Sequence, residues 1–353
     1  MPISCRVTRG DLTESIHVAF AVAVDSNGQI LYSTGDPGFL TCIRSSLKPF
    51  QAAASVKKGA VDLAGFSKKE LALMCASHKG EDIHIDTAQS MLSKLGLSSK
   101  DYECGAHLPS DISARNKLIR GNKKPSPLHN NCSGKHAGML ALAKYLGKGI
   151  INYTNKSHPV QSTIINYLEE LINEKNLPIE IDGCSAPVPF MTLETIAKLF
   201  QLLGQGNKPE LKRIFNAMTS YPELIGGTNH FDSVFTKILS GRGLTKVGAE
   251  SVRGISLKTN DNKAIGIAIK VLDGNFRALQ VTTMKLLEHL NLLNDEELNQ
   301  LDKFKLDISP RLIEVYDNSH IQGSNSVGAL ITFGSEGFIK KQYRKFNIKN
   351  KEL

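Results

Sequence analysis

The chain has 353 residues, of which 41% are hydrophobic and 22% are charged, and its formal net charge is +9 at pH 7. No apolar run reaches the roughly 18 residues of a membrane span, and the N-terminal residues lack the apolar core of a secretory signal. We therefore expect a cytoplasmic protein with no membrane partner and a sizeable hydrophobic core.

Much of the positive charge lies near the C-terminus. Half of the residues in KKQYRKFNIKNK, 340–351, are Lys or Arg. No zinc-finger spacing, aromatic RNA-binding motif or recognition-helix pattern accompanies them. We predict a solvated, flexible basic tail over about 340–353 and no nucleic-acid partner. A basic nucleic-acid-binding protein is the distant alternative, and it would show salt-sensitive binding.

Strands are predicted at both ends of the chain and helices between them. HVAFAVAVDSNGQILYSTGD predicts two strands joined at Ser26-Asn27-Gly28, and 246–274 predicts more short strands with turns at Asn260-Asp261 and Asp273-Gly274. In the middle, SHPVQSTIINYLEELIN places its apolar residues on one helical face.

This pattern favours an α/β (α+β) fold with an antiparallel sheet built from both chain ends. Helices would surround the sheet, and a helical middle of about 45–240 would close over it. We see no linker or repeat, so we predict a single domain spanning 1–353. Such a sheet would bring residues near position 45 towards residues near position 246.

The stretch RSSLKPFQ contains an S-x-x-K, formed by Ser45 and Lys48. On a helix these residues lie on one face, so the lysine amine could take the proton of the serine hydroxyl. The pattern alone does not decide between a catalytic pair and ordinary helix residues. Ser55 and Lys58 show the same spacing, with no candidate catalytic residues around them.

Four further stretches concentrate reactive side chains in loops or at helix starts, where sites are commonly built. Six cysteines are scattered through the chain without C-x-x-C pairs, which favours thiols or ligands over disulfides in a reducing compartment. The four stretches are CASHKGEDIH (75–84), HNNCSGKHAGM (129–139), IDGCSAPVPF (181–190) and LTKVGAES (244–251).

Together, RSSLKPFQA, CASHKGE, NNCSGKHAGML and DGCSAPV resemble the bacterial L-asparaginase II family typified by the thermolabile rhizobial enzyme. The resemblance extends from TRGDLTESIH to AIKVLDG, over about the first 290 residues. It implies a fold similar to serine β-lactamases and glutaminases, and KVG is similar to the K-T-G strand of those enzymes. Their S-D-N element is missing, and ASH, with Ser77, stands in its place.

The resemblance also implies the site residues. It pairs Ser45 with Lys48, and Ser77 with Lys246, as the catalytic groups. It implies zinc bound by residues matching Cys132, Lys135 and Cys184, although lysine is an unusual zinc ligand. The candidates for the substrate pocket are Arg44, His78, His136 and Asp182.

Two departures from the family pattern stand out. His230, in GGTNHFDS, occupies a position where many relatives carry arginine, and GDPGFLTCIRSS brings Cys42 close to the serine motif. Neither departure removes a predicted catalytic group.

We expect an L-asparaginase that hydrolyses L-asparagine, a small-molecule substrate, to L-aspartate and ammonia by serine nucleophilic catalysis. The family resemblance also implies a homodimer. The closest alternative is a glutaminase or another serine amidohydrolase of the β-lactamase fold, which assays of both amides would separate.

Overall fold

The computed structural model describes residues 2–304 throughout. Beyond them it describes the backbone of four strands, β10 (Leu312–Ile321), β11 (Ser324–Gly334), β12 (Gly337–Phe338) and β13 (Arg344–Asn347). These four strands pair antiparallel around β11. Apart from the backbone of β13, the predicted basic tail lies outside the described residues, and the single domain over 1–353 stays a prediction.

The described part of the chain up to residue 304 contains nine strands, in two sheets. They are β1 (Ile3–Arg9), β2 (Leu12–Val24), β3 (Ile30–Thr34), β4 (Leu40–Cys42), β5 (Ile179–Ile181), β6 (Pro187–Thr192), β7 (Gly243–Gly248), β8 (Val252–Lys258) and β9 (Ala264–Val271). The larger sheet is antiparallel in the order β1-β2-β9-β8-β7, and β3 pairs with the second half of β2. The smaller sheet has the order β4-β6-β5.

The α-helices lie mainly between the strands of the two chain ends. They are α1 (Lys48–Lys58), α2 (Ala60–Leu63), α3 (Lys68–Met74), α4 (Asp82–Lys94), α5 (Ile112–Arg120), α6 (Ser133–Tyr145), α7 (Pro159–Ile172), α8 (Leu193–Gln205), α9 (Pro209–Ser220), α10 (Phe231–Ile238), α11 (Phe276–His289) and α12 (Asp295–Gln300). Within this part, no helix is both long and apolar enough to cross a membrane.

The predicted architecture is confirmed. Strands β2 and β9, more than 200 residues apart in sequence, pair in the register Ala21↔Ile269, so both chain ends contribute to one antiparallel sheet. The predicted turn at Ser26-Asn27-Gly28 is present, with Gly28 at φ 77°. Helix α7 buries the apolar face that its sequence pattern predicts, from Val160 to Leu171. The middle of the chain is helical except for β5 and β6.

The larger sheet separates two hydrophobic cores because its side chains alternate between its two faces. Val22 and Ala268 belong to the core on the α8 side, whereas Ala21 and Ile267 belong to the core on the side of α10 and α11. A Cβ atom at Gly254 would lie 1.8 Å from the ring of Phe200 on α8, so only glycine permits this close packing. Strands β7–β9, which carry Lys246, are therefore covered on both faces.

Candidate active site

Ser45 lies on a 3-10 turn, Arg44–Leu47, that leads directly into α1. The sequence predicted a helix here, and the structure places Lys48 as the first residue of α1 and Pro49 in its first turn. The end of β7 packs tightly against this turn: a Cβ atom at Gly248 would lie 2.8 Å from the carbonyl oxygen of Ile43. The glycine of KVG thus allows the strand to approach the serine motif.

Lys48 is buried, and its amine contacts the loop after α3. Its Nζ atom donates to the carbonyl oxygens of Ala76 (2.6 Å) and Asn131 (3.3 Å) and lies 3.0 Å from Ser77 Oγ. Three acceptors match the three N–H groups of a lysine ammonium. Among the described residues, no hydrogen bond joins Lys48 to the Ser45 hydroxyl.

Ser77 therefore lies between two lysines. Its Oγ atom is 3.0 Å from Lys48 Nζ and 2.9 Å from Lys246 Nζ. The backbone N–H of Ser77 donates to Ile225 O, 2.9 Å away, which fixes the loop that follows α3. A hydroxyl in this position can receive a proton from one amine and pass its own to the other. The structure thus brings together three of the four predicted catalytic residues through direct hydrogen bonds.

Lys246 is fully buried on β7, and its Nζ atom also donates to Val247 O at 2.8 Å. Burial lowers the pKa of Lys246 to about 7, even though the nearby carboxylate of Asp232 acts in the opposite direction. A lysine whose pKa lies near 7 is half neutral at that pH and can act as a general base.

Sequence reasoning missed the charged groups behind Lys246. Asp232 and Arg253 form a buried ion pair, with 3.0 Å between Arg253 Nη1 and Asp232 Oδ1. In sequence, Asp232 has the position of an ordinary acidic residue in the first turn of a helix, and Arg253 falls within a strand, VRGISLK, that also contains Ser256 and Lys258. A charge within a predicted strand was the one available signal, and it does not identify the partner.

The three residues proposed as metal ligands lie together near the start of α6. Lys135 Nζ donates to Cys184 Sγ at 2.8 Å, and Cys132 Sγ donates to Asn131 Oδ1 at 3.0 Å. All three residues are buried. The Cys184 thiol lowers the pKa of Cys132, and the Cys132 thiol, together with burial, raises the pKa of Cys184.

This donor set fits a zinc ion in its chemistry, because thiolates and nitrogen atoms are preferred zinc ligands. Two sulfur atoms and one amine leave a fourth tetrahedral position for water or substrate. Within the described residues, no group of three or more His, Cys, Asp or Glu side chains could hold a metal. The set of Cys132, Lys135 and Cys184 differs from such groups because its third donor is a lysine.

Two of the predicted substrate residues contact each other. Arg44 Nε lies 2.9 Å from Asp182 Oδ1, and both side chains are partly exposed. Burial alone would raise the pKa of Asp182, but Lys135 and Arg44 lower it, so the group is a carboxylate. Arg44 has a φ of 50°, in the left-handed region that is strained for an arginine. A strained residue beside the serine motif is typical of a functional site.

His78 is engaged on both ring nitrogens. Its Nδ1 atom accepts from the Gly80 N–H at 3.2 Å, so its Nε2–H donates to Ser133 Oγ, 2.9 Å away. The ring stacks on that of His84, with centroids 4.8 Å apart. Burial lowers the pKa of His78 well below its usual value, so the imidazole is neutral. These contacts leave neither nitrogen of His78 free for a substrate.

His136 lies on α6, next to Lys135 in sequence. Its Nδ1 atom is 2.7 Å from the hydroxyl of Tyr153, and its Nε2 atom is buried without a partner among the described residues. Burial lowers the pKa of His136 well below its usual value. A neutral imidazole with one unused nitrogen is compatible with binding of a small polar molecule.

The two departures from the family pattern have structural explanations. His230 precedes α10, and its Nδ1 atom accepts from the Asp232 N–H at 3.2 Å, so the imidazole caps the helix. Burial lowers the pKa of His230 to about 4, which makes it neutral where many relatives carry a charge. Cys42 lies on β4 and is half-buried, and burial raises its pKa, so it is an unreactive thiol.

The fold and the site define a class: a mixed α/β protein in which a loop serine lies between a lysine of the antiparallel sheet and a lysine of α1, as in a serine hydrolase with lysine bases. The chain belongs to the L-asparaginase II family, because the model of that family matches residues 5–311. It is therefore an amidohydrolase of the L-asparaginase type, and the predicted family, enzyme class and function are confirmed.

Solved structures similar to this chain include two extended-spectrum β-lactamases. The TLA-3 enzyme is 12% identical, with a TM-score of 0.36, and the match covers 81% of this chain and 90% of that one. The TLA-1 enzyme is 13% identical, with a TM-score of 0.35, and again 81% of this chain and 90% of that one are covered.

A second family model, that of the UvrC RNase H endonuclease domain, matches residues 301–353. UvrABC system protein C of Caulobacter vibrioides is 67% identical over 52 residues, which are 15% of this chain and 8% of that protein. The Wolbachia pipientis wMel protein of the same name is 40% identical over 121 residues, 34% of this chain and 19% of that protein. The chain thus spans less than a fifth of these relatives, and sequence reasoning found no motif in this segment.

Proposed function

We propose that this chain hydrolyses the side-chain amide of L-asparagine to L-aspartate and ammonia through an acyl-enzyme formed on Ser45. One observation supports this mechanism more than any other: Ser77 Oγ lies within hydrogen-bonding distance of both Lys48 and Lys246. Amide hydrolysis requires a proton to move from the nucleophile to the leaving nitrogen, and a hydroxyl between two amines provides that route.

In the acylation step, the Lys48 ammonium passes a proton through the Ser77 hydroxyl to the neutral Lys246 amine. Ser45 Oγ attacks the amide carbon, and its proton passes to Lys48, which is now neutral. The bond from carbon to nitrogen then breaks, and the leaving nitrogen takes a proton through Ser77, with Lys246 as the partner amine. Ammonia departs, and water cleaves the ester to give aspartate and restore Ser45. Ser45 is one turn before Lys48 and half-buried, so it is open to a substrate. Catalytic hydrogen bonds that are absent without substrate often form in the complex.

The oxyanion formed during both steps needs N–H donors. Ser45 is near the start of the 3-10 turn, where N–H groups have no acceptor within the turn. The end of β7 lies against the same turn at Gly248. We propose the Ser45 N–H as one donor and the Ala249 N–H, at the end of this strand, as the other.

Substrate recognition is assigned to Arg44 and Asp182. An amino acid carries a carboxylate and an ammonium group, and a neighbouring guanidinium and carboxylate complement both. The 2.9 Å contact between Arg44 Nε and Asp182 Oδ1 holds these two charges side by side. His136 is a further contact residue, whereas His78 acts by holding Ser133.

Zinc would be held by Cys132, Lys135 and Cys184, of which Lys135 and Cys184 already contact each other at 2.8 Å. When bound, it would supply a fixed positive charge that orients the substrate. The three residues must lose protons to bind the metal, so binding weakens as the pH falls.

We also propose a homodimer in the cytoplasm. Sedimentation of the purified protein would test the homodimer, and cell fractionation would test the compartment.

The experiment that tests the mechanism is to trap the acyl-enzyme. The protein is mixed with asparagine, quenched in acid within milliseconds, digested and analysed by mass spectrometry. An aspartyl ester on the peptide containing Ser45 is expected. An ester on the peptide containing Ser77 would reverse the roles of the two serines, and the absence of any ester in active enzyme would overturn serine catalysis.

A second candidate function concerns residues 301–353 alone. Their match to the UvrC RNase H endonuclease domain favours a contact with nucleic acid, the distant alternative to an amidohydrolase. Binding of a labelled DNA duplex by the full chain, measured at two salt concentrations, tests this. Salt-sensitive binding that is lost when Lys340, Lys341, Arg344 and Lys345 are all changed to Gln would support it. Equal binding by the variant, or none by either protein, would reject it.

A further inference from the structure

A buried ion pair lies next to Lys246, close to its amine. Arg253 Nη1 is 3.0 Å from Asp232 Oδ1, and the other carboxylate oxygen, Oδ2, is 3.9 Å from Lys246 Nζ. All three side chains are at most 2% exposed. Burying three charged groups is costly unless each has a partner, so this cluster requires a function or a strong structural reason.

The carboxylate of Asp232 is also a backbone anchor. Its Oδ2 atom accepts from the Val247 N–H at 2.8 Å, immediately after Lys246 in β7. Asp232 itself lies in the first turn of α10, where the helix dipole favours a negative charge. One carboxylate oxygen therefore contacts both the side chain and the neighbouring backbone of the Lys246 segment.

Arg253 holds the carboxylate from the adjacent strand. Residue 253 is the direct partner of Val247 in the pairing of β7 with β8. Its guanidinium also donates to Thr245 Oγ1 at 3.2 Å and lies over the ring of Phe231, 4.1 Å from the centroid. The cation thus neutralises part of the carboxylate charge that Lys246 would otherwise experience in full.

We propose that Asp232 and Arg253 are a positioning pair, which holds the Lys246 amine against Ser77 and sets the pH at which that amine accepts a proton. The proposal deepens the proposed function, because it assumes that Lys246 acts as a base. Asp232 favours the protonated amine, and Arg253 opposes it. Removing either charge alone should therefore move the pH dependence of the reaction in opposite directions.

Other charged or titratable groups around Lys246 come from every element packed against it. They are Lys48 at the start of α1, Cys75 after α3, Cys132 before α6 and His230 before α10. None of them changes in the proposed variants. A shift of opposite sign in the two single variants can therefore be assigned to the changed pair.

The experiment is the pH profile of kcat/KM for asparagine in four proteins. Asp232→Asn should move the acid limb to lower pH by about 1–3 units, because an opposite charge within 4–6 Å shifts a pKa by that amount. Arg253→Gln should move it to higher pH by a smaller amount. The double variant loses both the nearer charge of Asp232 and the more distant charge of Arg253. Its acid limb should therefore lie at lower pH than that of wild type and at higher pH than that of Asp232→Asn.

Glu297→Gln is the matched control, because it removes a carboxylate from another arginine, Arg242, whose Nη2 atom is 2.5 Å from Glu297 Oε2. Its acid limb should coincide with that of wild type. The acid limb is expected to shift in a different direction in each single variant. Any one variant that folds, as shown by circular dichroism, therefore tests the proposal. Lower activity with an unshifted acid limb, or shifts of the same sign in both single variants, would overturn it.

Lys246→Met separates this inference from the function on which it rests. Retained activity in Lys246→Met would refute Lys246 as a base and with it the proposed mechanism. Loss of activity in Lys246→Met, combined with unshifted profiles for Asp232→Asn and Arg253→Gln, would refute only the positioning pair.

Discussion

Lys246 Nζ lies 2.9 Å from Ser77 Oγ, and this contact joins a fully buried strand to a loop after a helix 169 residues earlier. Lys48 reaches the same oxygen from α1. Two buried amines this close cannot both be charged without a large repulsion, so one of them is favoured as the neutral base. Burial lowers the pKa of Lys246 to about 7, which makes it the natural candidate.

The first prediction is therefore the pH dependence of the wild type. Lys246 must be neutral to accept a proton, and it is neutral above a pKa of about 7. We expect kcat/KM to rise with pH around 7 and to fall to roughly one-hundredth of its plateau at pH 5, in proportion to the neutral amine. Initial rates of ammonia release from pH 5 to 9 measure this. A flat profile across pH 5.5–8 would exclude Lys246 as the base.

The second prediction concerns the serine and lysine side chains. Ser45→Ala, Lys48→Ala, Ser77→Ala and Lys246→Ala should each fold and lose most turnover. Because groups that act as one unit are not additive, Ser77→Ala/Lys246→Ala should be scarcely slower than either single variant. Steady-state kinetics on the purified variants test both statements.

The control for this series is Ser55→Ala. Ser55 belongs to the second S-x-x-K, is buried on α1 and makes only a weak contact, 3.5 Å, to Gly138 O. It should remain active, because it is remote from the two lysines. Near-normal turnover in Ser45→Ala would remove Ser45 as the nucleophile, and multiplicative losses in the double variant would show that Ser77 and Lys246 act separately.

The third prediction separates strain from recognition at Arg44. With a φ of 50°, any side chain with a Cβ atom is disfavoured there, and glycine is not. Both Arg44→Ala and Arg44→Gly lose the contact with Asp182. The difference between their free energies of unfolding therefore isolates the backbone strain at residue 44. We expect Arg44→Gly to be more stable than Arg44→Ala by about 1–2 kcal/mol in denaturant unfolding, and both to show a raised KM for asparagine. Equal stability of the two would place no strain at this residue.

The fourth prediction is the metal. Protein purified without chelator should contain zinc close to one ion per chain, and Cys132→Ser or Cys184→Ser should lose it. Metal binding to the folded state should raise the melting temperature. Cys5→Ser, which changes a half-buried thiol on β1, is the control that should keep its zinc. A wild type without zinc, whose activity and melting temperature do not respond to added zinc, would reject the metal site and leave serine catalysis intact.

Local patterns predicted the elements of this fold, and the positions of strands predicted its architecture. The apolar stripe of α7 follows from a period of 3.6 residues, and it is buried as the pattern requires. The pairing of β2 with β9 follows from strands at the two chain ends that need partners. Ser46 Oγ donates to Lys246 O at 2.8 Å, so the predicted approach of residues near 45 and 246 is present.

The partners within the site could not be read from spacing. Ser45 and Lys48 are three residues apart, yet the Lys48 amine contacts Ser77, because a buried ammonium needs several acceptors and the loop after α3 supplies them. Asp232 and Arg253 were missed for a related reason. A buried charge is stabilised by a partner that only the tertiary fold brings close, here across α10 and β8.

The most direct test of the central claim is ammonia release from L-asparagine and L-glutamine, measured side by side with the wild type and with Ser77→Ala. We predict a higher kcat/KM for asparagine by roughly 10–200-fold, since one methylene group in a pocket is worth about 1–3 kcal/mol. We also predict that Ser77→Ala loses most of the release. Faster release from glutamine, or full release by Ser77→Ala, would contradict an L-asparaginase that works through a serine held between two lysines.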